Sequence, residues 1–521
     1  MSKKIKYPIG IQTFRKIVEG GYLYVDKTAM VHELANTDEY VFLSRPRRFG
    51  KSLLMSTLES YFKGERELFE GLMISELETE WREYPVLRFD LSPTNYNDPQ
   101  RLTDRIESCL RAFEKDYSVR GEGNNVAERF ANLIAEICRQ TGMKVVILVD
   151  EYDKPLLDCL HDPCLHGTLR NELRGFYSVI KASDRYIRFA MLTGITKFGK
   201  VSVFSGLNNL RDISLIPKYN AICGITETEF HRDFGHSIAA FAEEHGITEE
   251  EAWRKFKTMY DGYHFSTRGE FVYNPFSVLN AFNDGELNDY WYESGSPSYL
   301  IRLIERNAYP LDTLEGARRT NIAMNDISDT DRDLVPLLYQ SGYLTIKGYD
   351  EETEEYVLGF PNREVNKSFW SSLADRFFRG IDGRSAFNVR DCVRDILEGN
   401  ADGFMIRMKA LFADISSEPE KSKEIHFQNM MAIAAKMLGL SVRTEVHSSM
   451  GRCDMQIQTD RFVYIFEFKI DGSAQEAMAQ IHEKGYAVPF SADGRSVILI
   501  GADFRTDTRT LGHWIIENFE K

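Results

Sequence analysis

Four short, nearly continuous apolar runs punctuate the first 200 residues, at positions 40–43, 86–91, 145–149 and 187–192. A strand covered on both faces reads this way, whereas a strand with one wet face alternates. Between the runs, residues 52–62, 104–113, 126–139 and 169–181 repeat their apolar positions at helical spacing. Strands and helices in alternation predict an α/β fold with a parallel sheet and helices on both faces. From about Thr226 the pattern changes. Thr226-Glu227-Thr228-Glu229 and Ile247-Thr248-Glu249-Glu250-Glu251 each open a helix with an acidic first turn. Residues 260–265 and 269–273 then predict a short hairpin, and Asn274-Pro275 starts another helix. A mostly helical stretch runs to about residue 420, broken by a hairpin of 343–346 with 356–360.

The last hundred residues predict a separate unit: a helix at 424–438, strands at 441–446, 453–458, 462–470 and 497–500, and a helix at 475–484. Along 462–470, Phe462, Tyr464, Phe466 and Phe468 form an aromatic stripe on one face, while Glu467 and Lys469 share the other. The stripe fixes which face is core. A tight turn at Thr459-Asp460 sets Gln458 opposite Arg461 and Asp454 opposite Ile465. Asp454 and Glu467 then become diagonal neighbours, roughly 7–8 Å apart at the backbone. Two carboxylates at that spacing suit a shared magnesium ion, and Lys469 is placed to hold or polarise a water. This is chemistry for hydrolysing a phosphodiester. Glu424 on the preceding helix is the candidate to complete the metal shell, and Gln480 and Lys484 share a helix face, with Tyr486 just after.

A second constellation lies near the N-terminus. Arg45-Pro46-Arg47-Arg48-Phe49-Gly50-Lys51-Ser52 follows one strand and opens a helix, the setting in which backbone N–H groups and a helix N-terminus cradle phosphates. Lys51, expected to face solvent, would reach the β- and γ-phosphates, and the Ser52 hydroxyl would ligate magnesium. Arg45 stands where such loops usually begin with glycine. The run 145–149 ends in Asp150 and Glu151, a magnesium partner and a base for the attacking water. Thr193 closes the fourth strand, where its hydroxyl would sit near the γ-phosphate. Lys197, Lys200, Arg170 and Arg174 read as solvated surface charges.

Composition narrows the picture. The 521-residue chain has a net charge of −15, which gives no support to a protein that coats nucleic acid non-specifically. The charge is uneven: residues 1–60 carry ten Lys/Arg against six Asp/Glu, and five of the six residues 350–355 are acidic. The first six residues show charge without an apolar run behind it, unlike a secretory leader. The strongest apolar runs are five residues long, against the roughly 20 needed to cross a bilayer. Seven scattered cysteines suit a reducing cytosol. Cys159, His161, Cys164 and His166 crowd one segment, but structural zinc sites draw ligand pairs from elements farther apart, so an ordinary polar loop is the better reading.

The motifs also carry a resemblance. Tyr7-Pro8-Ile9-Gly10, Tyr24-Val25-Asp26-Lys27-Thr28, the loop Arg45 to Ser52, Val149-Asp150-Glu151-Tyr152-Asp153-Lys154-Pro155, Leu192-Thr193-Gly194-Ile195-Thr196-Lys197-Phe198 and Phe204-Ser205-Gly206-Leu207-Asn208-Asn209 resemble the AAA-ATPase-like family. In that family Arg45 is a regular feature of the loop. Glu424, Gly451-Arg452-Cys453-Asp454, Glu467-Phe468-Lys469 and Gln480 resemble the PD-(D/E)XK nuclease superfamily domain that accompanies this ATPase. The resemblance implies a P-loop ATPase sheet with an α-rich, winged-helix-like lid, joined to a restriction-endonuclease-like α/β domain. The expected boundaries are 1–220 for the ATPase, 221–300 for the lid, 301–420 for a helical connection with a hairpin, and 421–521 for the nuclease-like domain. ATP and Mg2+ are the implied cofactors and nucleic acid, DNA or RNA, the implied partner. Arg45, Arg47, Arg48, Phe49, Gly50, Lys51, Ser52, Asp150 and Thr193 are the expected nucleotide contacts. Glu151, Glu424, Asp454, Glu467, Lys469 and Gln480 are the expected catalytic set, with Ser52, Asp150, Asp454 and Glu467 on metal. Two readings stay open: an ATP-controlled nuclease of the cytosol, or an ATPase switch whose tail only binds nucleic acid or a protein; an oligomer is compatible with either.

Overall fold

The four apolar runs are strands: β1 (Tyr40–Ser44), β2 (Val86–Asp90), β3 (Val145–Asp150) and β4 (Ile187–Gly194). They lie parallel in the order β2-β3-β4-β1-β5, where β5 (Arg211–Asp212) is a two-residue polar strand that no hydrophobic pattern announces. The computed structural model describes residues 5–160, 162–197, 207, 209–294, 298–307, 309–325, 327, 332–377, 389–413, 433, 441–448, 451–505, 507 and 510–520. It separates two units, Met1–Ser294 with Gly316–Val365, and Gly295–Glu315 with Asn366–Lys521. Among the described residues no helix is long and apolar enough to cross a membrane.

In the first unit Asp90 pairs with Asp150, Val149 with Leu192, and Ser44 with Gly194. The carboxyl ends of β1, β3 and β4 are therefore level, and the loops that follow them gather at one edge, where open parallel sheets bind ligands. Local signals set the helix limits. Pro99–Asp116 starts before the periodicity because Asp98 caps Gln100 and Pro99 fits the first turn. Val126–Thr141 starts at an Asn125 cap and stops at Gly142, which takes the left-handed conformation.

Beyond the sheet, Glu227–His245 and Glu249–Tyr260 begin with reciprocal capping boxes from Thr226/Glu229 and Thr248/Glu251. Their core is aromatic: Phe230 stacks on Tyr273, and Phe282 on both Phe234 and Phe256. The hairpin expected at 260–273 is reduced to one bridge, Tyr263 with Val272. Asn220 is the reason. Its side chain accepts from the Phe265 amide and donates to the Glu270 carbonyl, engaging groups that a ladder needs. Instead β6 (Ile225–Thr226) pairs with β7 (Val272–Tyr273).

The second expected hairpin forms, as β9 (Thr345–Asp350) and β10 (Glu355–Gly359), joined at β10 by β8 (Arg318–Thr320). The expected connection 301–420 is not one element, because residues 316–365 belong to the first unit. Gly342, at φ +91°, packs so closely that a Cβ would come within 2.6 Å of Pro46 and 3.3 Å of Trp291.

The second unit holds a mixed sheet in the order β11 (Ser441–Ser448), β12 (Gly451–Gln458), β13 (Phe462–Ile470), β14 (Ser496–Arg505) and β15 (Thr510–Asn518). Only β13 and β14 run parallel. The helix Ala474–Glu483 covers one face through Met478 and Ile481, and Gly501 lets it approach: a Cβ there would lie 2.6 Å from the Met478 amide nitrogen. The aromatic stripe lines the other face, where Phe404 meets Phe466 and the Tyr464 hydroxyl donates to the Ile396 carbonyl. β15 was not expected. The helix expected at 424–438, with Glu424, lies outside the described residues apart from Ile433.

Candidate functional sites

The phosphate loop ends at Gly50, whose φ of +94° caps the helix Lys51–Phe62 and leaves open space where a Cβ would be. Lys51 does not face solvent. It is buried, with Nζ 3.1 Å from the carbonyls of both Arg45 and Pro46 and 3.6 Å from Glu151. The ammonium thus lies back across its own loop, beside the carboxylate expected to activate water.

Arg45 differs from its expected role as a nucleotide contact. Its buried guanidinium donates to the carbonyls of Ser44, Ser214 and Tyr219 at 2.8–2.9 Å and stacks 4.2 Å from the Phe265 ring. Three carbonyls and a ring fix the side chain as a brace beneath the loop. Arg47 lies 5.0 Å over Trp291, whose indole donates to the Arg47 carbonyl at 3.0 Å. Arg48 is exposed, 5.0 Å over Phe276, and Phe49 is buried between Tyr263 and Phe265. The loop is therefore anchored by its side chains, and three of its carbonyls are held by Lys51 and Trp291.

Asp150 and Thr193 meet: the Thr193 hydroxyl donates to Asp150 Oδ1 at 2.8 Å. Glu151 follows at φ +55°, a left-handed conformation uncommon for non-glycine residues. Two residues escaped the sequence reading. Arg88 reaches Asp150 Oδ2 at 3.4 Å and the Ser52 carbonyl at 3.3 Å. Its signal was a lone cation inside an apolar run. Asp153 is buried, and its Oδ2 accepts from the amides of Ile195 and Thr196 and from the Thr196 hydroxyl. Burial, then the charge of Glu151, pushes its carboxyl up to about 6. Lys197 is also buried, paired with Asp212 and Asn325 at 2.9 Å, and is not the solvated charge expected. Arg174 is exposed, Arg170 is half-buried, and Lys200 lies outside the described residues.

Beside Gly50 opens an apolar cavity of about 90 Å3, lined by Val25, Leu53, Leu54, Ile222, Ile225 and Leu279. Lys27 closes one side, held by both oxygens of Glu229 at 2.6–2.7 Å. An apolar slot next to the glycine end of a phosphate loop suits the flat ring of a nucleobase. In the cysteine-rich segment, the Cys159 thiol bonds the Pro155 and Leu156 carbonyls, and His161 lies outside the described residues.

In the second unit, β12 and β13 pair Met455 with Phe466 and Gln458 with Val463, two residues off the expected alignment. The cause is Thr459. Its amide donates to the Phe462 carbonyl at 2.9 Å and its hydroxyl accepts from the amides of Arg461 and Phe462, so the two-residue tip moves one residue along, to Asp460 and Arg461. A slip of two preserves the faces but brings Asp454 abreast of Glu467, instead of diagonal to it. Asp454 Oδ2 accepts from the Phe468 amide at 2.7 Å. Glu467 is buried; its Oε1 accepts from Lys469 at 3.2 Å, and its Oε2 has no hydrogen-bond partner among the described residues. Burial, then the charge of Asp454, pushes the Glu467 carboxyl up to about 7, against the pull of Lys469. Lys469 donates to Gln480 Oε1 at 2.5 Å, Gln480 Nε2 to the Tyr486 hydroxyl at 3.2 Å, and Tyr486 to the Arg452 carbonyl at 2.7 Å. An orphaned carboxylate oxygen beside a second carboxylate fits a hard divalent cation, with Asp454 and Glu467 as its holders. Glu424, the expected third group, lies outside the described residues.

With this geometry in place, two comparisons bear on identity. Residues 8–204 match the family described as a predicted AAA-ATPase, and residues 422–514 match the PD-(D/E)XK nuclease superfamily. Over 530 aligned positions the chain is 38% identical to an uncharacterized protein in the vnfD 5' region of Azotobacter chroococcum mcd 1, covering 99% of this chain and 100% of that one.

Proposed function

Because the chain belongs to the family of predicted AAA-ATPases that carry a PD-(D/E)XK nuclease superfamily domain, we propose that it binds and hydrolyses ATP and cleaves nucleic acid under ATP control. The observation that supports cleavage best is the unpartnered Oε2 of Glu467 beside Asp454. Magnesium, when held by those two carboxylates, supplies neutralisation of transition-state charge and a more acidic water. Lys469, fixed by Gln480 and Tyr486, orients the attacking water and steadies charge on the phosphate. In the first unit, Lys51 swings from the Arg45 and Pro46 carbonyls to the phosphates, and the nucleobase enters the slot beside Gly50. Ser52 and Asp150 hold the nucleotide's magnesium, and Thr193 orients Asp150. Glu151 takes the proton from the attacking water. Work on intracellular nucleic acid, in its processing or in defence against foreign DNA, is the role such a pair of activities serves.

The test is a cleavage assay on plasmid, single-stranded DNA and RNA with Mg2+ or Mn2+. Cleavage of any one of them that Lys469→Ala abolishes supports the reading. Metal-dependent binding of all three without cleavage would leave an ATPase whose tail only recognises nucleic acid. For the first unit, Glu151→Gln should retain ATP and stop turnover, since the amide keeps the shape and loses the basicity.

A further inference from the structure

Arg88 occupies a place that its surroundings make unusual. It sits within β2, among the buried apolar residues Val86, Leu87 and Phe89, and it is itself half-buried. Its guanidinium touches three groups at once. Nη1 lies 3.0 Å from Glu59 Oε2, on the third turn of the phosphate-loop helix. Nη2 lies 3.3 Å from the carbonyl of Ser52, in the first turn of that helix, and 3.4 Å from Asp150 Oδ2. Since Oδ1 of Asp150 is engaged by Thr193, both of its oxygens have protein partners.

We infer that Arg88 is a positioning residue of the nucleotide site, a resident cation that holds Asp150 against the phosphate-loop helix and sets how strongly the site demands magnesium. The inference rests on the nucleotide-binding reading above. A guanidinium planted beside a carboxylate neutralises it and competes with any second cation for it. Glu59 sets the strength of that competition, because it draws the same guanidinium away from Asp150. The arrangement gives the buried Asp150 carboxylate a cationic partner before a nucleotide arrives. It also predicts effects of opposite sign at two residues, which a purely structural brace does not.

The experiment titrates Mg2+ into the full-length chain with a fluorescent ATP analogue and reads nucleotide binding, not turnover. Arg88→Gln should lower the Mg2+ concentration for half-maximal binding by about two- to fivefold, the range of a partly exposed ion pair. Glu59→Gln should raise it, because Arg88 then leans wholly on Asp150. Arg88→Lys, which keeps the charge, should stay nearer the wild type than Arg88→Gln. If Arg88→Gln fails to fold, the upward shift in Glu59→Gln still decides. A Mg2+ requirement unchanged in Glu59→Gln, or unchanged or raised in a folded Arg88→Gln, overturns the inference while leaving nucleotide binding intact. A wild-type chain that binds no nucleotide at any Mg2+ concentration overturns the underlying reading, and the inference with it.

Discussion

Asp150 and Glu467 are both carboxylates withdrawn from water on a strand, yet they are compensated differently. Asp150 has Thr193 on one oxygen and Arg88 on the other, with Lys51 and Glu151 as a further pair beside it. Among the described residues Glu467 has Lys469 on one oxygen only, and a second carboxylate next to it instead of a second cation. A buried charge needs a partner, and a pair of like charges needs a cation or a shared proton. Around Asp150 the first unit supplies its own compensation and can keep its geometry between ligands. Among the described residues the second leaves Glu467 to be compensated by something from solution. A nucleotide switch has to persist in more than one ligand state, whereas a cutting site gains from being incomplete until metal and substrate arrive.

The contrast is broken most directly at the undercompensated pair. Asp454→Ala removes one of the two carboxylates proposed to hold metal and the acceptor of the Phe468 amide. Cleavage should fall by about a thousandfold or more, with ATP hydrolysis unchanged; a variant that still cuts moves the metal elsewhere. Lys51→Ala comes next. Nucleotide affinity should fall by about a hundredfold, as for loss of a charge-assisted phosphate contact. Because Lys51 is buried on two carbonyls, the variant should also lose about 1–3 kcal/mol of stability. Unchanged ATP affinity by calorimetry would falsify the phosphate-loop assignment.

The same contrast explains what was legible in the sequence. Runs such as 145–149 announce a strand buried on both faces, so the sheet and the edge where its loops gather followed from pattern. The stripe Phe462, Tyr464, Phe466, Phe468 fixed the faces of β13, so the pairing of Asp454 with Glu467 survived an alignment wrong by two. The error came from Thr459, because a side chain that captures amides in a turn leaves no periodic trace. Arg45 was misplaced for a related reason: its partners are carbonyls of Ser44, Ser214 and Tyr219, and the last two are distant in sequence. Arg88 was passed over because one charge does not spoil an apolar run, and its meaning depends on two other elements. β5 and β15 carried no clear signal, the first being two residues long and the second alternating irregularly.

Control of the second unit by the first sharpens the comparison further. If a self-compensated site is a switch, its ligand must bias something, and a differential affinity of about 1–3 kcal/mol changes the output about 5- to 150-fold. Cleavage should therefore differ between ATP and ADP within that range, and Lys51→Ala should abolish the difference. Equal rates with ATP, with ADP and without nucleotide refute the coupling and leave both sites standing.

The smallest expected effect concerns Glu364, an exception to the self-compensation of the first unit. Its carboxyl is buried, takes the Trp291 amide at 2.6 Å, and meets the Ser277 hydroxyl with both oxygens at 2.8–3.0 Å. Burial pushes it up to about 8, with Asp289 adding in the same direction, against Ser277 and Trp291. Trp291 in turn donates to the Arg47 carbonyl, so this carboxyl is two side chains from the phosphate loop. A carboxyl raised in the folded state holds its proton there while the unfolded chain has lost it. The folded state then binds more protons between the ordinary carboxylate value and about 8. Its contribution to stability is therefore full below the ordinary value and is lost as pH rises through about 8. Asp153 and Asp261, each pushed up to about 6, and Glu467, pushed up to about 7, titrate in the wild type and in a Glu364 variant alike, so the difference between the two reads Glu364. Glu364→Gln keeps the shape and the donor without the titration. In thermal unfolding, the wild type should lose a few degrees relative to the variant between pH 6 and 8.5, a shift of about 1–2 kcal/mol. Parallel melting curves across that interval would show that Glu364 is already ionised in the folded chain.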